Sequence, residues 1–248
     1  MAKDIFVLIW GACVGSFLNV CIYRIPRRMS VVFGPSHCTH CTKELKVQDL
    51  LPVLSYVLLK GRCRHCGTVF SIRYPAVELL TAAFFFAVYR HWGLGWQTIS
   101  MWVFFSALVV VSFVDFDTLL IPDRVLITAV ALGAPALWLT SKERLLDGVA
   151  GFFGAGLIML AISLAARGGM GGGDVKLSAA IGFFIGWPDV LVVLFLSFMI
   201  GALAGAVLLA LGKKKRKDAV PFGPFLAMGG VAGAFWGDRL VQWYLSLL

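Results

Sequence analysis

The chain has 248 residues, 60% of them hydrophobic and only 14% charged, with a mean hydropathy of +0.89. A soluble domain of this size needs far more polar covering, so that class is excluded, together with intrinsic disorder and a secreted disulfide scaffold. The composition is that of a polytopic membrane protein. The net charge of +9 lies in short loops between apolar runs, which marks topology rather than a nucleic-acid surface, and no nucleic-acid partner is expected.

A spanning helix needs about 20 apolar residues, fewer where the bilayer is thin. Eight such segments are expected, over 5–23, 74–90, 96–114, 124–140, 146–166, 175–187, 189–211 and 222–247. The fold class is therefore all-α, with about eight transmembrane helices and one polar insert. The expected division is a first transmembrane helix over 1–23, a cytoplasmic loop over 24–73 and a seven-helix membrane core over 74–248. The first segment is not a signal peptide, since it lacks a basic leader and a small-residue cleavage site. Its Gly11 and Gly15 have the spacing that lets a second helix approach closely. Cys13 and Cys21, inside the same run, act as small hydrophobes.

Lys and Arg placement orients the layout. With the N-terminus outside, the inner segments hold Arg24, Arg27, Arg28, the basic residues of the insert, Arg124, Arg167, Lys176 and Lys213–Lys217. Only Lys3, Arg90, Lys142, Arg144 and Arg239, five of the 22 basic residues, fall outside. The positive-inside rule then puts both termini outside and the 24–73 loop in the cytoplasm. The Lys213–Lys217 run is a plain topology anchor, with recognition of anionic membrane lipid as the alternative.

Within the insert, Cys38-Thr39-His40-Cys41 is followed, after 21 residues, by Cys63-Arg64-His65-Cys66. Two C-x-x-C knuckles at that separation describe a tetrahedral zinc site of four thiolates, Cys38, Cys41, Cys63 and Cys66. Such a site leaves no position for a substrate water, so the metal is structural. A pair of disulfides is the alternative, disfavoured in a reducing cytosol; His37, His40 and His65 stand close enough to replace one thiol. About 50 residues without a large core need such a staple to fold.

Acids beside spanning helices are costly and functional by default. Asp115 and Asp117 end the third segment, Asp123 follows in Ile121-Pro122-Asp123, and Asp174 closes Gly168-Gly169-Met170-Gly171-Gly172-Gly173-Asp174. The glycine run matches neither phosphate-loop pattern. Missing side chains instead let backbone pass close to a substrate, and the following helix presents its positive end to Asp174. Two carboxylates from separate helices that share one water perform general acid–base hydrolysis, one holding a proton while the other acts as base. The plainer alternative is that these acids cap helices or pair with Arg124 and Lys176; Asp123, after a proline, has the look of an N-cap.

These elements together resemble the bacterial type IV prepilin peptidases, the leader peptidase/N-methyltransferases of the GxGD aspartic membrane proteases. The likeness rests on Gly15-Ser16-Phe17-Leu18-Asn19-Val20 with Arg24 and Pro26, the two cysteine knuckles, and Arg73-Tyr74-Pro75 with Glu78-Leu79-Leu80. It continues through Asp115-Phe116-Asp117 with Pro122-Asp123, Met170-Gly171-Gly172-Gly173-Asp174 with Lys176, and Pro221-Phe222-Gly223-Pro224, in family order over nearly the whole chain. The resemblance implies an aspartic endopeptidase of the bacterial inner membrane, with Asp115 and Asp174 as the catalytic pair at the cytoplasmic face. It implies prepilin and pseudopilin substrates, cut after a glycine, and N-methylation of the new terminus with S-adenosylmethionine as methyl donor. Asn19, Arg24 and Glu78 either shape a binding site or serve helix packing and ion pairing. The rival class is a proton- or ion-coupled transporter using the same acids; a presenilin-type protease fits the zinc loop and the Pro221–Pro224 element less well.

Overall fold

The computed structural model describes residues 1–166, 170–213, 215 and 218–246. Arg167, Gly168 and Gly169 of the glycine run, and Lys214, Arg216 and Lys217 of the basic anchor, lie outside the described residues. Among the described residues the chain is built from helices: α1 (Ala2–Arg24), α2 (Leu54–Leu58), α3 (Arg73–Trp92), α4 (Trp96–Thr118), α5 (Asp123–Thr140), α6 (Lys142–Ala165), α7 (Gly172–Ile185), α8 (Val190–Ala210) and α9 (Gly223–Leu245). All eight segments expected from the sequence are helical. The polar insert adds only the short α2 and one 3-10 turn at Val47–Asp49.

Five of these helices, α1, α4, α5, α6 and α8, are long and apolar enough to cross a membrane, which makes the chain a multi-pass membrane protein. The other three of the expected eight differ for visible reasons. Helix α7 has 14 residues, about 21 Å of helix against a hydrocarbon core of about 30 Å. Helices α3 and α9 carry ionisable residues, Arg73, Glu78 and Arg90 in one and Asp238 and Arg239 in the other.

Helix ends follow the local chemistry. Helix α1 stops at Arg24, just before Pro26, which has no N–H to continue the hydrogen-bond ladder. Pro122 precedes α5, and Pro224 lies in the first turn of α9, where no donor is missed. Gly186 closes α7 with φ +91°, a conformation open to a residue without a Cβ.

The chain divides into two compact units, 1–94 and 95–248. In the first, α1 packs along α3, the helix grouped by sequence with the membrane core. The Gly11 and Gly15 pair makes that approach possible: a Cβ at Gly11 would lie 2.8 Å from Ala82 Cα, and one at Gly15 2.7 Å from Glu78 Cα. The side chain of Asn19 donates to the Tyr74 carbonyl at 3.0 Å and ties the two helices at the polar end.

In the second unit α7 is the central element, packed by α4, α5, α6, α8 and α9. Every residue of Leu177–Ile185 is buried. The α6–α7 crossing is glycine on glycine, since a Cβ at Gly151 would run into the Gly182 carbonyl and one at Gly182 into that of Gly151. Between lipid-embedded helices such close van der Waals fit replaces the hydrophobic effect as the packing force. Around it Phe104 stacks on Phe184 with centroids 5.1 Å apart.

Candidate active site and metal centre

The carboxylates of Asp115 and Asp174 both lie at helix N-termini of the second unit, those of α9 and α7. Asp115 lies in the last turn of α4, and its carboxylate meets the start of α9, where the Gly223 N–H donates to Oδ2 at 2.8 Å. The first N–H groups of a helix have no partner within it, and Pro224 has none to give, so Gly223 supplies the donor. A Cβ at Gly223 would fall 2.8 Å from that same oxygen, which is why the position suits glycine. Asp115 is only 4% exposed. Asp117 is exposed, as a residue roughly 200° further around a continuing helix should be.

Asp174 is the third residue of α7 and is partly buried; its Oδ2 accepts from the Gly171 N–H at 3.3 Å. The carbonyl of Met170 accepts from the Ser163 hydroxyl at 3.4 Å, which ties this entry to α6. The negative charge of Asp115 acts on Asp174. These two acids come from α4 and α7, elements far apart in sequence that pack against each other.

The other two acids have different surroundings. Asp123 receives the Lys176 ammonium on both oxygens, at 2.8 and 2.9 Å. It is the first residue of α5 and makes no capping bond; Pro122 is the N-cap, against the N-cap expectation for Asp123. The pairing of Asp123 with Lys176 is as the plainer reading of the acids had it. Gly223 was visible in the sequence as part of a Pro-Phe-Gly-Pro element, but nothing local marked it as the donor to an acid 108 residues away.

The four thiols of the first unit form the second site. Sγ atoms of Cys38, Cys41, Cys63 and Cys66 all lie within 4.8 Å of one another, a group able to hold a metal ion. Sulfurs of Cys38 and Cys66 are 3.8 Å apart and unbonded; a tetrahedron with Zn–S of about 2.3 Å has an edge of about 3.8 Å. The two knuckles are copies of one turn. Cys38 N donates to Lys43 O and Thr42 N to Cys38 O, while Cys63 N donates to Thr68 O and Gly67 N to Cys63 O. Thr42 and Gly67, at matching places, both take left-handed backbone, φ +57° and +71°. Hydrogen bonds from the Thr68 hydroxyl and Thr68 N–H pull the Cys66 thiol down to about 6, toward the thiolate a metal needs. The thiol group includes no histidine among the described residues.

Arg24 is buried at the end of α1. Its Nη1 donates to the carbonyls of Ser30 and Phe33 and its Nη2 to those of Gly34 and Pro35, at 2.9–3.1 Å, folding the start of the insert around one guanidinium. Glu78, also buried, accepts the Val53 N–H at 2.7 Å rather than an ion-pair partner.

Comparison with known proteins follows these sites. The model of the bacterial peptidase A24 N-terminal domain matches residues 9–92, and that of the type IV leader peptidase family matches residues 102–206. The prepilin leader peptidase/N-methyltransferase of Bacillus subtilis (strain 168) is 34% identical over 241 residues, covering 97% of each chain. That of Aeromonas hydrophila is 34% identical over 97% of this chain and 93% of its own, and that of Pseudomonas aeruginosa 31% over 99% and 94%. No solved structure matches significantly.

Proposed function

From the premise that the chain belongs to the type IV leader peptidase family, we propose that it is a membrane aspartic endopeptidase that removes the short leader of prepilins and pseudopilins and then N-methylates the exposed terminus. The observation that carries the peptidase half is the pairing of Asp115 and Asp174 at two helix N-termini of one unit. In each acid Oδ2 is engaged by a backbone N–H, and Oδ1 is the oxygen assigned to a shared hydrolytic water. Two carboxyls coupled in this way hold one proton between them. The ionised member takes a proton from the water as it attacks the scissile carbonyl, and the protonated member gives one to the departing amine.

The four thiolates are assigned to one structural zinc ion, which cross-links the two knuckles and leaves no open position for chemistry. The chain is placed in the bacterial inner membrane with eight spans, the 24–73 loop and the aspartate pair on the cytoplasmic side, on the strength of its basic-residue distribution. The short α7 then crosses by being enclosed in protein rather than exposed to lipid. S-adenosylmethionine is the methyl donor that the relatives' second activity requires.

The test is incubation of the purified protein with a prepilin and S-adenosylmethionine, with the product's N-terminus read by mass spectrometry. Leader loss with one added methyl group is expected. An uncut prepilin under conditions where the protein is folded would overturn the reading.

A further inference from the structure

A cavity of about 530 Å³ lies wholly within the first unit, floored by the polar ends of α1 and α3 and roofed by the insert. Its size is that of small-molecule sites, about 300–1,000 Å³. It is distinct from the aspartate pair, every residue of which belongs to the second unit.

Three features give the cavity a chemical preference. Glu78 lines it, is 8% exposed, and has the uncharged Val53 N–H and Ser16 hydroxyl as partners. The same wall carries Arg24, Arg62 and Arg64; Arg24 gives its donors to four carbonyls and Arg64 pairs with Asp49 at 2.8 Å, so that among the described residues Glu78 has no ion-pair partner. The wall also carries aromatic rings of Tyr56, Phe70 and Tyr74, with Phe70 edge-on to Tyr74 at 6.4 Å. A buried carboxylate beside aromatic faces favours a cation joined to a flat, apolar group.

Backbone strain falls at the same place. Val53 takes φ +60°, ψ −47°, a region hostile to a β-branched residue, and its N–H is the one that Glu78 holds. Strain of this kind persists only where the surroundings over-determine it, and it gathers at ligand sites.

We infer that this cavity binds S-adenosylmethionine, with Glu78 receiving its positive charge and the aromatic wall its adenine ring. The inference rests on the methyltransferase half of the proposed function. The transfer it would serve balances simply: the neutral amine of a cleaved pilin attacks the methyl carbon, and the carbon–sulfur bond breaks with its electron pair kept by sulfur. The products are a methylammonium, which exchanges its extra proton with water, and neutral S-adenosylhomocysteine.

The test uses the full-length protein in detergent, with radiolabelled S-adenosylmethionine and three readouts: donor binding by equilibrium dialysis, leader cleavage, and zinc content. Glu78→Gln, which keeps the acceptor for Val53, and Cys13→Trp, which fills the cavity from α1, should each weaken donor binding roughly tenfold or more. Cleavage and zinc should stay within about twofold of wild type, since neither variant touches the aspartate pair or the thiols. Ultraviolet cross-linking of the donor to the wild-type protein should label a peptide within residues 36–78. A label within residues 95–248, undiminished binding in both variants, or no donor binding by a wild type that cleaves leaders would each overturn the inference. Failure of cleavage itself would instead strike the proposed function.

Discussion

Asp115 and Gly223 are 108 residues apart in sequence and 2.8 Å apart in space, joined by a hydrogen bond from the glycine N–H to the carboxylate. The bond orients one acid of the proposed pair and aims the positive end of α9 at it. Because a Cβ at Gly223 would meet Oδ2 at 2.8 Å, Gly223→Ala should push the carboxylate out of place. Leader cleavage should fall by roughly tenfold or more, the scale of a lost positioning contact, with zinc content unchanged. A prepilin processing assay at matched expression checks this; full activity in Gly223→Ala would show that the contact does not set the site.

Asparagine at Asp115 or at Asp174 keeps the shape and removes the acid–base function, so each single change should abolish leader cleavage while membrane insertion and zinc binding survive. Asp117→Asn should retain cleavage, because that side chain is exposed on another face of α4. Asp123→Asn should retain it as well. Its pair with Lys176 is more than half exposed on both sides, and such pairs contribute about 0–1 kcal/mol. Normal processing by either of the first two variants would end the aspartic-protease reading.

The thiol cluster predicts metal. Purified protein should carry about one zinc per chain, lost on Cys38→Ser or Cys66→Ser, because either change breaks the tetrahedron. Chelation should loosen the insert, seen as faster proteolysis between residues 36 and 70, and leave the second unit intact. Full zinc retention in both variants would remove the four-thiolate assignment.

Topology can be measured directly. Reporter fusions near residues 45, 120, 170 and 215 should lie in the cytoplasm, and those near 93, 143 and the C-terminus on the far side. A cytoplasmic C-terminus would require an odd number of spans and undo the eight-span proposal, with α3, α7 and α9 the helices to re-examine.

What the residues determine by themselves is whatever depends on composition and short spacing. Apolar length marked the membrane class and located all eight helices to within a few residues. The C-x-x-C repeat foretold the thiol cluster, because each knuckle closes through hydrogen bonds four or five residues apart. The Gly11 and Gly15 spacing foretold a close helix crossing, though not that α3 would be the partner. Tertiary packing decided the rest: that of α4, α5, α7 and α9 brought the Gly223 N–H to Asp115 and Asp123 to Lys176, and that of α1 on α3 made Glu78 and Arg24 wall a cavity with opposite duties. Those relationships join residues tens to a hundred positions apart. They depend on how far one helix rotates and slides against another, and such rotation is fixed by glycine contacts and ring stacking across the whole unit, for which no local pattern in the chain carries a signal.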